Sequence, residues 1–296
     1  MFSEVLSVVT PVFIIAGIGF MWIKRGLPFD NNTVSTLVMM VGSPCLIYSS
    51  LTSNTPAIKD LMVMAGAAGF AIVAGLIIAA SILRLLGWHL RTFVPALVHA
   101  NSGNMGLPLV LLAFGEEGLA LGMAFFFVNS ISQFTIGLSI ASGTFHPGQL
   151  LRQPVIWAVA LVILVLALDI HMPRWFNTTT ELLGGITIPA MLLMLGTSLA
   201  RLNISSIKQT LTVSVLRLAL GLGLGLTAVS LFNLEGIVAG VVIIQSTMPS
   251  AVFNYIFAER YGREPDKVAA VILQSTLLSV LTLPVLVAFA LGYATG

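Results

Sequence analysis

The chain has 296 residues, of which 57% are hydrophobic and 8% charged, against about 25% charged in a typical soluble domain. With a mean hydropathy of +1.04, this composition excludes a water-soluble fold and points to an all-α polytopic membrane protein. The net charge of +2 comes from scattered basic residues, which argues against a nucleic-acid face, and the single cysteine, Cys45, excludes an intrachain disulfide or a cysteine metal cluster.

Ten spans of roughly 20 residues are expected, at 3–23, 32–52, 60–83, 92–114, 117–143, 153–169, 180–200, 209–232, 235–258 and 268–292. The first follows Met1-Phe2-Ser3-Glu4, which lacks a basic segment, and is closed by Lys24-Arg25. It therefore reads as a retained helix rather than a cleaved signal. The odd-numbered loops carry ten basic residues: Lys24, Arg25, Arg84, Arg91, Arg152, Arg201, Lys208, Arg260, Arg263 and Lys267. The even-numbered loops carry two, Lys59 and Arg174. Positive loops stay in the cytoplasm, so both termini are expected outside.

Span two contains Ser43-Pro44, and span seven contains Thr187-Ile188-Pro189. Both are expected to be kinked helices. Span four carries Asn101-Ser102-Gly103-Asn104-Met105-Gly106-Leu107-Pro108 at its centre. Glycine frees the backbone, proline removes a donor, and asparagine is costly in hydrocarbon without partners. A broken, polar helix centre survives at membrane depth only inside protein or beside a wet cavity. The offset from Pro44 to Pro189 is 189 − 44 = 145. Adding 145 to Asn104 reaches Pro249, inside Gln245-Ser246-Thr247-Met248-Pro249-Ser250-Ala251 of span nine. Adding it to Asn129 and Ser130 of span five reaches Gln274 and Ser275 of span ten.

The pattern predicts two five-helix repeats, 1–145 and 146–296. An odd number of spans per repeat inverts the second copy. Paired interrupted helices in inverted repeats place a site near the midplane, where the breaks meet. Half-helix N-termini favour an anionic group. Asn101, Ser102, Asn104, Thr247 and Asn254 can add neutral donors, and the faces of Asn129 with Gln133 and of Gln274 with Ser275 can complete the cavity. Those two faces serve equally well for hydrogen bonds between helices.

Arg217, within span eight, either attracts an anionic substrate or snorkels to the cytoplasmic interface, and snorkelling is expected. His99 is expected to be a hydrogen-bonded helix histidine, with a proton-linked role as the alternative. No Asp or Glu falls at mid-membrane depth within these limits; Glu116, Glu117, Asp169, Glu181 and Glu235 lie near span ends. No metal motif, phosphate loop or nucleophile with an obvious base is present, so neither enzymatic chemistry nor a cofactor is expected.

Four blocks carry a resemblance across essentially the whole chain. They are Asn101 to Leu109, Ile188-Pro189-Ala190-Met191-Leu192-Leu193-Met194-Leu195-Gly196, Met248-Pro249-Ser250-Ala251-Val252-Phe253-Asn254, and Gln274 to Pro284. Together they resemble a bacterial member of the auxin efflux carrier family. The resemblance implies a fold like that of bile-acid and sodium/proton carriers, with spans four and nine unwound at Pro108 and Pro249 and crossing near the midplane. It implies a scaffold of spans one, two, six and seven, and a transport domain of spans three to five and eight to ten. It places an organic anion's carboxylate near the crossing with Asn104 and Asn129 as amide partners, and it suggests a homodimer. Bacterial relatives are usually assigned small carboxylates such as malate or malonate. The short central loop, around His146 to Gln153, departs from the long-looped plant relatives and removes the expectation of phosphoregulation there.

The expectation is a multi-pass carrier of the bacterial inner membrane that moves a small organic anion, a mono- or dicarboxylate such as malate or malonate or an auxin-like acid, by alternating access. Its partners would be the anion and the lipid bilayer, with no nucleic acid. A sodium-coupled bile-acid-like or amino-acid carrier is the rival of the same class. A non-transporting membrane sensor or scaffold is the rival of another class. Substrate, direction and coupling ion are not legible.

Overall fold

A computed structural model describes residues 2–53, 58–144, 154–168, 170, 172–201 and 207–295. The central loop at 146–153, including Arg152, and Asp169 lie outside the described residues. Helices dominate: α1 (Phe2–Lys24), α2 (Asn31–Leu37), α3 (Ser43–Ser53), α4 (Ile58–Leu85), α5 (Leu90–Val98), α6 (Leu107–Ser132), α7 (Leu138–Ser142), α8 (Pro154–Ala167), α9 (Arg174–Gly185), α10 (Thr187–Arg201), α11 (Ile207–Leu231), α12 (Gly236–Thr247), α13 (Phe253–Tyr261) and α14 (Pro265–Thr295). Wide π-helical turns at Val38–Gly42, Ser102–Gly106 and Gln133–Gly137 join α2 to α3, lead into α6, and join α6 to α7.

Among the described residues, seven stretches are long and apolar enough to cross a bilayer unaided. The difference from ten has three sources. Spans four and five run together in the 41-residue stretch Ser102–Ser142. They are separated only by Gly115, at φ 66° and ψ −157°, a conformation comfortable for glycine alone. There the chain folds back, and a Cβ on Gly118 or Gly122 would meet Val110. Span six is the 14-residue α8. Span nine is split between α12, of 12 residues, and α13, of 9.

At 1.5 Å per residue, α5 reaches about 14 Å and α12 about 18 Å, and a hydrocarbon core is about 30 Å thick. Each therefore stops part-way. Residues 239–247 of α12 are all buried, whichever way they point, as befits a helix that is apolar all round. It packs on α4, α6, α11 and α14.

The helices sort into two packed groups. In one, α1 lies on α10, and α3 on α8 and α9. In the other, α4, α5, α6, α11, α12 and α14 pack on one another. The first group relies on glycine, because close backbone approach replaces hydrophobic driving force between membrane helices. A Cβ at Gly196 would run into the Ala16 carbonyl, and one at Gly19 into the Leu193 carbonyl. Spans two and seven are kinked as expected. A π turn precedes Ser43-Pro44, and the helix is interrupted at Ile186 just before Pro189. Asn31 ties the pair, accepting from the Thr197 hydroxyl at 2.8 Å and donating to Ser198 Oγ at 3.2 Å. Arg174 is not a loop residue but the first residue of α9.

Glu264 fastens the loop before α14 to the start of α5. Its carboxylate accepts from Thr92 Oγ1 at 3.1 Å, lies 3.0 Å from His89 Nδ1, and pairs with Lys267. Burial opposes its ionisation, but the hydrogen bonds from Lys267, His89 and Thr92 outweigh burial and hold its pKa below the ordinary value.

Two outcomes are expected. Gly196→Ala should cost about 1–3 kcal/mol through overpacking, read as a lower melting temperature in detergent; an unchanged value would contradict the close contact. For Glu264, a depressed carboxyl pKa stabilises the fold above the unfolded value of about 4.3, and that contribution fades as pH falls through the folded value. Glu264→Gln should therefore melt lower at neutral pH and converge with the parent in acid. A deficit that persists in acid would rule out the electrostatic account.

Candidate substrate site

The two half-length helices end against each other. After α5 the chain is extended at His99 (φ −84°, ψ 108°), and after α12 it is extended at Met248 (φ −57°, ψ 148°). Ala100 and Ser250 form an isolated antiparallel bridge. The Asn101 N–H donates to the Pro249 carbonyl at 2.8 Å, and the Ala251 N–H to the His99 carbonyl at 3.0 Å. A two-strand fragment thus satisfies backbone groups that neither helix can satisfy itself.

Side chains brace the crossing. Asn129 Nδ2 donates to the Ala100 carbonyl at 3.1 Å and to Ser102 Oγ at 2.8 Å. Asn254 Nδ2 donates to the His99 carbonyl at 3.3 Å and Ser250 Oγ at 3.0 Å, while its Oδ1 accepts from Gln133 Nε2 at 3.2 Å. From α14, Ser275 Oγ accepts the Ser250 N–H at 3.2 Å. Glycines admit the close approach. A Cβ at Gly103 would strike the Phe126 ring, and one at Gly106 the Gln245 amide.

The unwinding does not occur at Pro108, contrary to expectation. Pro108 sits just after the wide turn Ser102–Gly106, where the Leu107 N–H already reaches the Ser102 carbonyl, and helical backbone runs through it without unwinding. The break lies at residues 99–101, and its partner is centred on Ser250. Nor does Arg217 snorkel. The residue is 3% exposed. Nε donates to the Met248 carbonyl at 3.0 Å, Nη1 to those of Leu97 at 2.7 Å and Val98 at 3.4 Å, and Nη2 to that of Ser246 at 2.6 Å. These are the C-terminal carbonyls of both half-helices. Gly221, one turn beyond Arg217, lets the Ser246 carbonyl press against α11. His99 also departs from expectation. It lies outside the helix, its ring packs against Gly137, and it is near the Asn129 amide without meeting it in hydrogen-bonding geometry.

The two ends of each interruption face opposite ways. The carbonyl ends of α5 and α12 gather at Arg217. The N–H ends, at the Ser102–Gly106 turn and the start of α13, face a cavity of about 50 Å³, room for a few waters. Asn101, Ser102, Gly103, Asn104, Asn129 and Gln133 line it, together with Ser35 and Ser43 of span two. Its apolar wall includes Met39, Phe126, Phe127, Met191, Met194 and Phe253. The cavity therefore lies in the seam between the two helix groups. Asn101 is 4% exposed, and its Nδ2 has no hydrogen-bond partner. The first N–H groups of the turn with a carbonyl in reach are those of Met105 and Gly106, both on the Asn101 carbonyl. Helical geometry leaves those of Ser102, Gly103 and Asn104 ahead of any such carbonyl. None of the lining residues is charged.

Of the residues expected at the site, Asn101, Ser102, Asn104, Asn129 and Gln133 meet at this cavity. Pro249, Asn254 and Ser275 build the crossing behind it. Pro108, Thr247 and Gln274 do not line it. The Thr247 hydroxyl is spent on its own helix, at the Ile243 carbonyl, 2.7 Å away.

The model of the family described as membrane transport protein matches residues 4–148 and 140–287. The chain belongs to that family. It is the family of the auxin efflux carriers, as the four blocks suggested. An uncharacterized transporter of Methanocaldococcus jannaschii is 22% identical over 297 residues, covering 94% of this chain and 96% of that protein. An uncharacterized transporter of Methanothermobacter thermautotrophicus is 26% identical over 270 residues, covering 86% and 87%. The protein is a multi-pass membrane transporter, not an enzyme.

Asn254→Ala leaves the His99 carbonyl, Ser250 and Gln133 each short of a partner. At about 1–3 kcal/mol for a buried polar group left unmade, this transporter should melt measurably lower in detergent. An unchanged melting temperature would mean that the crossing does not need that brace.

Proposed function

We propose that the transporter carries a small organic anion, a mono- or dicarboxylate of the size of malate or malonate, by alternating access. The observation that carries this reading is the unpartnered Asn101 amide, buried beside the N–H end of an interrupted helix in an uncharged cavity. Amide donors and a helix N-terminus favour a carboxylate, and the absence of lining acids spares it repulsion. Neutral donors also keep binding modest, which release requires. Asn104, half-buried on the same turn, and Asn129 add amide contacts.

The moving parts follow from the packing. The group of α1, α3, α8, α9 and α10 would serve as scaffold, and the group around α12 would carry the crossing past it. The cavity holds only about 50 Å³, so the seam must part to admit a carboxylic acid. A second cavity of about 470 Å³ lies farther along the same seam, between Leu46, Ser49, Leu119 and Pro189, with Glu116 and Glu181 also in its lining. In this reading the two halves of the chain, 1–145 and 146–296, are the inverted repeats. The protein sits in the inner membrane with both termini outside, and it works as a homodimer, each half of which has its own site.

The reading is tested by thermal-shift measurements on the purified protein against mono- and dicarboxylates, followed by uptake in proteoliposomes. One acid should stabilise the protein, and Asn101→Ala and Asn104→Ala should each weaken its binding about tenfold, the 1.4 kcal/mol of one charge-assisted hydrogen bond. Uptake unchanged in both variants would refute the site. Stabilisation by amines or neutral sugars in place of acids would refute the substrate class.

A further inference from the structure

We propose that Arg217 is a tethered cation that permanently occupies the position where an interrupted-helix carrier would otherwise hold a mobile coupling ion. In such carriers, unwound carbonyls and half-helix C-terminal ends coordinate sodium or a proton. Here the carbonyls of Leu97, Val98, Ser246 and Met248 converge from two such ends, and the guanidinium takes all of them. Each helix end carries about half a negative charge, so two ends match one guanidinium. The small space beside it, about 20 Å³ and lined by Gly75, Leu97, Ala100, Gly221 and Ser246 among others, includes no acid. Balance therefore comes from the backbone and not from a carboxylate.

Three consequences follow from the chemistry. A guanidinium keeps its proton in proteins, so this position cannot load and unload one. A sodium ion at the same carbonyls would meet like charge and find its ligands already donated to. The cation also travels with the crossing, because α11, α12 and α5 pack together. The transport cycle then runs without a sodium or proton gradient acting at this point, whichever substrate the protein carries. Arg217 is a positioning residue: it touches the helix ends and does not line the cavity of the proposed anion.

The test measures melting temperature of the purified protein in equal concentrations of sodium, potassium, choline and methylguanidinium chloride. The readout needs no substrate, so it stands or falls apart from the organic-anion reading. The parent protein should melt alike in sodium, potassium and choline. Arg217→Ala opens the carbonyl cluster and should melt lower by roughly 5 °C or more. It should be restored in part by methylguanidinium or sodium and not by choline, which is too bulky and offers no N–H. A merely structural arginine would lose the same stability without acquiring a cation dependence. If Arg217→Ala does not fold, Arg217→Gln removes the charge at similar length and carries the same comparison. The proposal is overturned if the variant that folds is restored by no cation, if it melts like the parent, or if neither variant yields folded protein even with methylguanidinium or sodium present. It is equally overturned if the parent itself is stabilised by sodium over choline.

Discussion

A helix that stops inside a hydrocarbon layer leaves carbonyls and N–H groups that no water can reach, and each unsatisfied group costs several kcal/mol. This transporter contains two such helices, and much of its interior answers that demand. The Ala100–Ser250 bridge pairs the extended segments with each other. Asn129, Asn254 and Ser275 supply donors and acceptors from three other elements. Arg217 collects the remaining carbonyls. The N–H ends are answered least, and it is there that a cavity and an unpartnered amide are found.

The same demand polarises the crossing. Both carbonyl ends point to one side, where a buried cation holds them. Both N–H ends lie on the other, beside the cavity. A guanidinium neutralises the carbonyl side, and the N–H side carries no fixed charge. The packing keeps this arrangement rigid. Gly106 and Gly221 let α11, α12 and the Ser102–Gly106 turn approach until a Cβ there would collide, and Gly225 packs closely on Ser246. The cavity opens instead onto the helix group of α1, α3, α8, α9 and α10, through the more adaptable side chains of Met39, Met191 and Met194.

Much of the candidate site was legible because cost in hydrocarbon is written in residue types. Asparagines, glycines and prolines at the centre of an apolar stretch mark an interruption, and the segments around Asn101 and Pro249 were found that way. The offset of 145 was close but not the register of contact. Ala100 meets Ser250, and Ser275, not its neighbour Gln274, braces the second strand as Asn129 braces the first. Proline misled at position 108. Helical backbone runs through it behind a wide π turn, and sequence alone does not say whether a proline breaks a helix or is absorbed beside such a turn.

The sequence by itself determined the class of protein, the spans, the kinks beside Pro44 and Pro189, and the fact that two helices are interrupted. These are properties of a segment in its solvent, set by length, apolarity and the local chemistry of glycine and proline. Only the tertiary structure decided where the interruptions meet, which amides face the cavity, and what Arg217 does. An arginine inside a span has the same sequence signature whether it reaches for the interface or for carbonyls. The difference is the presence of Leu97, Ser246 and Met248 within reach, and those partners stand 29 to 120 positions away along the chain. Such contacts arise from how helices pack, which no local pattern encodes.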